Sequence, residues 1–354
     1  MDELLAKLHR TNCLTKDEII ELLGSLTPDG RKELYRFADQ TRQAQYGKKV
    51  FMRGLIEFSN ICKQDCLYCG LRRSNAGADR YRLTEDEMIA CVDEGYELGY
   101  RSFVLQSGED FRFTEEVMSR IVRRIKERYP EVAITLSIGE RSEEFYRALH
   151  EAGADRYLLR HETASRSLYD SLHPGMSYDN RIECLHTLKR IGYQVGAGFM
   201  VGLPGQTSEH LAEDLLFLHE LQPEMIGIGP FIPHSATPLA GATGGTVEDT
   251  LVMVALARLF VPAAMLPATT AMGTLDPVGR EKALKAGANV VMPILSPLAV
   301  REKYALYENK ICTGDESAHC RSCIELRIVA SGYQIDLGRG DHAAFRETAE
   351  LIQS

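Results

Sequence analysis

The sequence predicts an α/β fold: a (β/α)8 TIM-type barrel with an N-terminal helical extension and an irregular C-terminal segment. Three observations lead there. Apolar, strand-like runs recur near 53–58, 102–106, 132–138, 156–160, 195–201, 224–229, 264–270 and 288–293. Amphipathic, helix-like runs separate them. No linker interrupts the alternation, and eight such units over about 240 residues suit a barrel. A doubly wound open sheet shares this rhythm and stays open as the alternative. The pattern divides the chain into helices at 1–48, a barrel at 49–295 and a segment at 296–354 that loses the alternation.

The elements can be justified in order. Leu4, Leu5 and Leu8 recur at helical spacing. Thr15 with Glu18 forms a capping-box pattern ahead of Ile19, Ile20, Leu22 and Leu23. A further helix fits from Pro28 to Gln45. Within the barrel region, Thr84, Thr114, Ser142 and Thr207 stand where helix N-caps are needed, the first three followed by acids that favour a helix N-terminus. Gly153, Gly192 and Gly287 fall where helices end.

The chain has 354 residues and a formal net charge of −9, without a block of basic residues. A nucleic-acid partner is therefore not expected. Acids occupy the start, Asp2 and Glu3, where a secretory signal carries bases. The most apolar stretch, Leu251 to Met272, is interrupted by Arg258, Pro262 and Pro267, so no membrane partner is expected either. The expected location is cytoplasmic.

Of nine cysteines, six fall in two tight groups. An odd count in a reducing compartment argues for cluster or metal sites over disulfides. The first group, Cys62-x3-Cys66-x2-Cys69, follows the first barrel strand and so lies at the C-terminal face, where barrel active sites gather. Three thiolates leave one iron of a 4Fe–4S cubane open for another ligand. A zinc site with a distant fourth ligand, or a chance grouping, is the alternative. The second group, Cys312-x7-Cys320-x2-Cys323, suggests another Fe–S cluster, 2Fe–2S or 4Fe–4S, or a zinc site, with His319 as an awkward fourth ligand. Thr135 and Ser137 alternate along the third strand and share a face, and Thr269 and Thr270 end the seventh. Their hydroxyls need partners inside a barrel.

The Cys62-x3-Cys66-x2-Cys69 loop resembles the signature of the radical-SAM superfamily. The resemblance implies a 4Fe–4S cluster whose open iron is chelated by S-adenosylmethionine, and reductive cleavage of that molecule to a 5′-deoxyadenosyl radical. It implies that Tyr68 lies near the adenine. It also implies that Ser107, Gly108 and Glu109 form the ammonium-binding turn, and that Arg160, Glu162 and Arg181 hold the cofactor. Gly198 to Thr207 would pack against the adenine, and the strand from Met225 to Phe231 would offer it a backbone edge.

Longer segments narrow the resemblance. Ile56–Asn60, Cys69–Arg73, Val104–Asp110, Arg160–Ala164, Gly202–Thr207, Gly227–His234 and Pro267–Gly273 are similar to the HydE family of radical-SAM maturases of [FeFe]-hydrogenase. That likeness implies a role in building the diiron subcluster of the hydrogenase with its dithiomethylamine bridge. It implies a small organometallic or cysteine-derived substrate, a cysteine-bound iron dicarbonyl cyanide, attacked by the radical at sulfur. It further implies an internal cavity walled by Gln106, Thr135, Ser137, Thr269, Thr270 and Tyr304, and an accessory cluster on Cys312, Cys320 and Cys323. The implied partners are the other hydrogenase maturases and a flavodoxin- or ferredoxin-like reductant. A biotin synthase or methylornithine synthase type of reaction is the rival within the superfamily. An iron–sulfur carrier or scaffold is the rival outside enzymes.

Overall fold

The computed structural model describes residues 2–314 and 317–345, leaving the side chains of residues 2 and 317–320 outside that description. Three helices come first: α1 (Asp2–Thr11), α2 (Lys16–Ser25) and α3 (Pro28–Tyr46). The capping box at Thr15 and Glu18 is formed, with both reciprocal hydrogen bonds. Two strands follow, β1 (Lys49–Met52) and β2 (Gly54–Ser59), then α4 (Glu85–Glu97), β3 (Ser102–Ser107), α5 (Glu115–Arg128), β4 (Ala133–Ser137), α6 (Glu143–Glu151) and β5 (Arg156–Leu158). After these come α7 (Arg166–Leu172), α8 (Tyr178–Ile191), β6 (Gln194–Ala197), β7 (Met200–Val201), α9 (Ser208–Leu221), β8 (Met225–Ile226) and β9 (Gly229–Pro230). Thr84, Thr114 and Ser142 each accept the N3 amide of the helix they open, as their positions predicted. Gly192 caps α8 at φ 107°, a conformation that costs a glycine nothing.

Six strands form a parallel sheet in the order β2-β3-β4-β5-β6-β8. The remaining two strand-like runs close it. Met225 pairs with Met265, Pro267 with Val290, and Ile294 with Leu55, all parallel. The ring is thus an eight-membered closed barrel, which settles the choice against an open sheet. Between β9 and the seventh barrel position lies α10 (Val247–Phe260), buried throughout from Thr250 to Phe260. This explains the long apolar stretch: α10 packs against both α3 and α9 and has no solvent face beyond its first turn. Among the described residues, no helix is long and apolar enough to cross a membrane.

After the barrel's seventh strand position come α11 (Thr270–Leu275), α12 (Gly279–Lys285) and β10 (Val290–Val291). The later segment departs from the alternation, as expected, and contributes α13 (Leu298–Arg301), α14 (Ser317–Ala330) and β11 (Gln334–Asp336). β11 pairs in parallel with β1, Val50 opposite Ile335. Just beyond it, buried Asp341 accepts Arg156 Nη2 at 2.6 Å and Gln194 Nε2 at 2.8 Å, and so ties this segment to the inner floor of the barrel.

Candidate active site

At the opposite end of the barrel, the loop after β2 carries the first cysteine group. Two neighbouring loops clamp it. The Lys63 amide donates to Glu109 O at 3.0 Å, and Leu67 N donates to Leu172 O at 3.0 Å. The Glu109 amide reaches Cys62 Sγ at 3.3 Å. A side chain at Gly108 would strike Ile61 O at 2.4 Å and Cys62 Cβ at 2.8 Å, so only glycine lets these loops approach. Burial raises the Cys62 and Cys66 thiols above their ordinary range and lifts Cys69 to about 12, and charge on the neighbouring sulfurs adds to each rise at Cys66 and Cys69. A bound cationic centre would have to offset that rise to hold the three as thiolates. Among the described residues no three donors converge as for a single ion. A cubane fits better, since it takes each thiolate on a different iron.

Behind the loop lies a cavity of about 340 Å³ inside the barrel mouth. Tyr68, Cys69, Gln106, Ser107, Ser137, Arg160, Glu162, Arg181, Thr269, Thr270 and Tyr304 all line it. A wider cleft of about 770 Å³ lies on the outside, between Gly70–Asp79 and the segment near 298–305, and holds none of the sequence-predicted residues.

Each polar group in the cavity is aimed by its neighbours. Tyr68 donates its hydroxyl to His173 Nε2 at 2.9 Å, while His173 Nδ1 donates to Tyr169 O at 2.8 Å. Burial lowers the His173 pKa to about 4, so the neutral ring with hydrogen on Nδ1 is the form that fits both bonds. Arg181 donates to Glu140 Oε1 at 2.6 Å and to Arg160 O at 2.7 Å. Glu162 has φ 67°, a costly backbone setting for this residue. It is held there because its amide donates to Gly198 O at 3.0 Å and its carbonyl accepts Met200 N at 3.1 Å. Its Oε2 lies 3.0 Å from Arg160 Nη2 but accepts no well-directed hydrogen bond, and Thr269 Oγ1 is likewise buried without a partner. Such orphaned acceptors inside a cavity fit a ligand bearing ammonium, sulfonium and hydroxyl groups.

Three expected residues stand elsewhere. Met225 does not line the cavity. Its backbone is in the β6–β8 ladder opposite Gly196, and its sulfur meets Arg53 Nη1 at 2.8 Å beside the barrel floor. Gly227 and Gly229, further along, reach the cavity instead. The Glu109 carboxylate is engaged by Gln64 Nε2 at 2.8 Å and the Glu140 amide at 3.0 Å, so its side chain braces loops, while the expected ammonium contact concerns the backbone carbonyls of this turn. Thr135 sits a layer below Ser137, buried, with its hydroxyl unpartnered and outside the cavity wall.

The second cysteine group is partly exposed. Cys312 is half-buried at φ 66°, its sulfur 3.5 Å from Arg280 Nη2. Cys323 is exposed on α14. The side chains of Cys320 and His319 lie outside the described residues.

Sequence reasoning missed the most buried charges in the cavity. Lys310 Nζ donates to Glu57 Oε1 at 2.6 Å, Glu57 Oε2 at 2.8 Å and Tyr304 O at 3.0 Å, and both side chains are buried. A carboxylate within the apolar run 54–58 was a readable signal. Lys310 gave none, being on an irregular loop.

Residues 56–218 match the model of the Radical SAM superfamily. The chain is 48% identical over 330 residues to the [FeFe] hydrogenase maturase subunit HydE of Thermotoga maritima, across 93% of this chain and 94% of that one. The chain belongs to the HydE family. It is therefore a radical-SAM enzyme, and the family's cofactors are a 4Fe–4S cluster and S-adenosylmethionine. The methylornithine synthase PylB has the same fold, with a TM-score of 0.82 and 27% identity over 98% of this chain and 99% of that one. The HydE-family chain also superposes on HydG, a maturase of [FeFe]-hydrogenase, with a TM-score of 0.82 at 21% identity over 99% of this chain and 80% of that one; this likeness concerns the fold.

Proposed function

We propose that this enzyme acts in assembly of the diiron subcluster of [FeFe]-hydrogenase, on a cysteine-bound iron dicarbonyl cyanide presented inside the barrel. The observation that carries this reading is 48% identity to a hydrogenase maturase across nearly the whole chain. Cys62, Cys66 and Cys69 would hold the 4Fe–4S cluster. When bound, the cluster supplies the electron that breaks the S–C5′ bond of S-adenosylmethionine.

The chain's own residues orient and enclose the reaction. Arg160 and Arg181 place cationic charge at the cavity mouth, where the methionyl carboxylate needs it. Glu162, ion-paired with Arg160, keeps an oxygen without a directed hydrogen bond for the opposite charge. Tyr68, fixed by His173, flanks the adenine. Gln106, Ser137, Thr269, Thr270 and Tyr304 face the substrate. Lys310 and Glu57 close the wall and exclude water. Cys312, Cys320 and Cys323 would hold an accessory Fe–S cluster, and a reducing cytoplasmic setting suits both thiol groups.

The test is anaerobic reconstitution, reduction with dithionite and addition of S-adenosylmethionine with the synthetic iron dicarbonyl cyanide complex of cysteine. The expected result is an adenosylated iron product. Formation of 5′-deoxyadenosine without any product from that complex, but with product from lysine, would move the enzyme to the methylornithine synthase type of reaction.

A further inference from the structure

Reductive cleavage takes one electron per S-adenosylmethionine, and that electron arrives from another molecule. The rim of the cysteine loop has a surface suited to delivering it. Phe111 is 76% exposed, the largest exposure of a large apolar side chain among the described residues. It follows Asp110, whose carboxylate accepts Arg82 Nε at 2.6 Å and Ser59 Oγ at 2.7 Å. It lies two residues from the Glu109 amide that touches Cys62 Sγ. The Phe111 ring is thus anchored on a rigid loop, pointing to water beside a cluster ligand. An apolar ring held in water at that place is an interface anchor without its partner.

Around it, two cations stand outside the ion pairs of these loops. Lys63, Arg73 and Arg112 are on the two loops clamped together here: the Lys63 amide bonds Glu109 O, Arg73 N bonds Gln64 O, and Arg112 N bonds Asp110 Oδ1. Arg73 and Arg112 are exposed, and among the described residues neither forms an ion pair. The Arg82 guanidinium stands 5.8 Å from the Phe111 ring centre. The carboxylates of the same loops are already engaged: Asp65 by Arg72, Glu109 by Lys63 and Gln64, Asp110 by Arg82. The nearest exposed acids along the chain, Glu115 and Glu116, begin α5. The whole chain carries −9, so it repels an acidic protein at long range except where a cationic patch gathers it.

We infer that Phe111, with the exposed Arg73 and Arg112 on the two clamped loops, is the dock for a small acidic one-electron carrier protein. The inference rests on the radical-SAM reading, because that chemistry sets the need for the electron. At the dock the carrier is oxidised by one electron and the enzyme's cluster is reduced by one; no bond is made or broken there. Cationic rim residues set the encounter rate and its salt dependence, and the aromatic anchor sets the lifetime of the complex.

The test uses the reconstituted enzyme with a reduced acidic 2Fe–2S ferredoxin. Binding is read by calorimetry, and electron arrival by bleaching of cluster absorbance. Phe111→Ala is expected to weaken binding about tenfold. Arg73→Glu and Arg112→Glu are expected to slow ferredoxin-driven bleaching about tenfold at low salt, with the difference fading at high salt. Bleaching by dithionite stays at the parent rate in all three. Arg123→Glu, the same charge change two turns down α5, leaves ferredoxin transfer unchanged. Parent-like binding and transfer in a Phe111→Ala/Arg112→Glu double variant would overturn the dock. So would tighter binding of a basic cytochrome, or of a single-stranded oligonucleotide, than of the ferredoxin. Failure of the underlying radical-SAM reading looks different: ferredoxin binds, dithionite bleaches the cluster, and no 5′-deoxyadenosine forms.

Discussion

The two cysteine groups look alike in sequence and differ in everything the fold does with them. Cys62, Cys66 and Cys69 are on a loop between a barrel strand and an arginine-braced turn, with neighbouring amides at Cys62 and bonds to the loops after β3 and α7. Cys312 is half-buried beside Arg280 and Cys323 is exposed on α14, and both bear on the Arg327 guanidinium. Spacing announces a cluster in both cases. Among the described residues, the first group reaches the barrel cavity through Cys69, while Cys312 and Cys323 do not line it.

The sharpest way to break this contrast is to remove one thiol from each group. Cys66→Ala is expected to lower S-adenosylmethionine cleavage by on the order of 10³-fold or more, while Cys323→Ala changes it less than about twofold. The measurement is 5′-deoxyadenosine formed with dithionite as reductant. Comparable losses in both variants would mean that the groups act as one unit.

Next in size is Glu162→Gln, which keeps shape and removes charge at the strained strand end. Cleavage efficiency should fall by on the order of 10²-fold with little change in melting temperature. A large loss of stability with normal kinetics would make Glu162 a structural residue.

Lys310→Met tests whether the C-terminal segment is truly part of the cavity wall. It leaves Glu57 buried and unpaired, at a cost of about 3–5 kcal/mol in a denaturant titration. The double variant Glu57→Gln/Lys310→Met should regain much of that loss. No regain would argue that Lys310 acts through Tyr304 O alone.

The smallest effect expected is on pH dependence. His173 titrates near 4 when folded and near the ordinary histidine value of 6.5 when unfolded. Between those values the unfolded chain binds more protons, so folding stability falls as pH drops through the window. His173→Gln should flatten that slope between pH 4 and 6.5, read from denaturant midpoints. A steeper slope would place a charged histidine there.

The barrel was legible because its signals are local and repeated. Each run of apolar residues stands between N-caps and glycines that act within a few residues, at Thr84, Thr114, Ser142 and Gly192. The cavity was legible where strand ends carry it, as at Gln106, Ser137, Arg160 and Thr269. It was illegible where distant segments meet. Lys310 reaches Glu57 across 253 positions, and nothing near Lys310 in sequence announces that. Met225 failed for a different reason. Alternation along a strand says which side a residue faces but not which layer of the barrel it occupies, and Met225 occupies the layer beside Arg53.

Strand β11 has one more consequence, in time instead of space. It pairs with β1, the first strand of the chain, although 281 residues lie between Met52 and Gln334, and Asp341 then locks Arg156 from below. During synthesis the barrel strands leave the ribosome long before their floor exists. Arg53 and Arg156 must wait in a half-built interior for partners near residue 340. Such a long loop closure is slow to find. Stopping translation before residue 334 should therefore leave a nascent barrel that is open beneath and prone to aggregate, whatever the state of its cysteine loop.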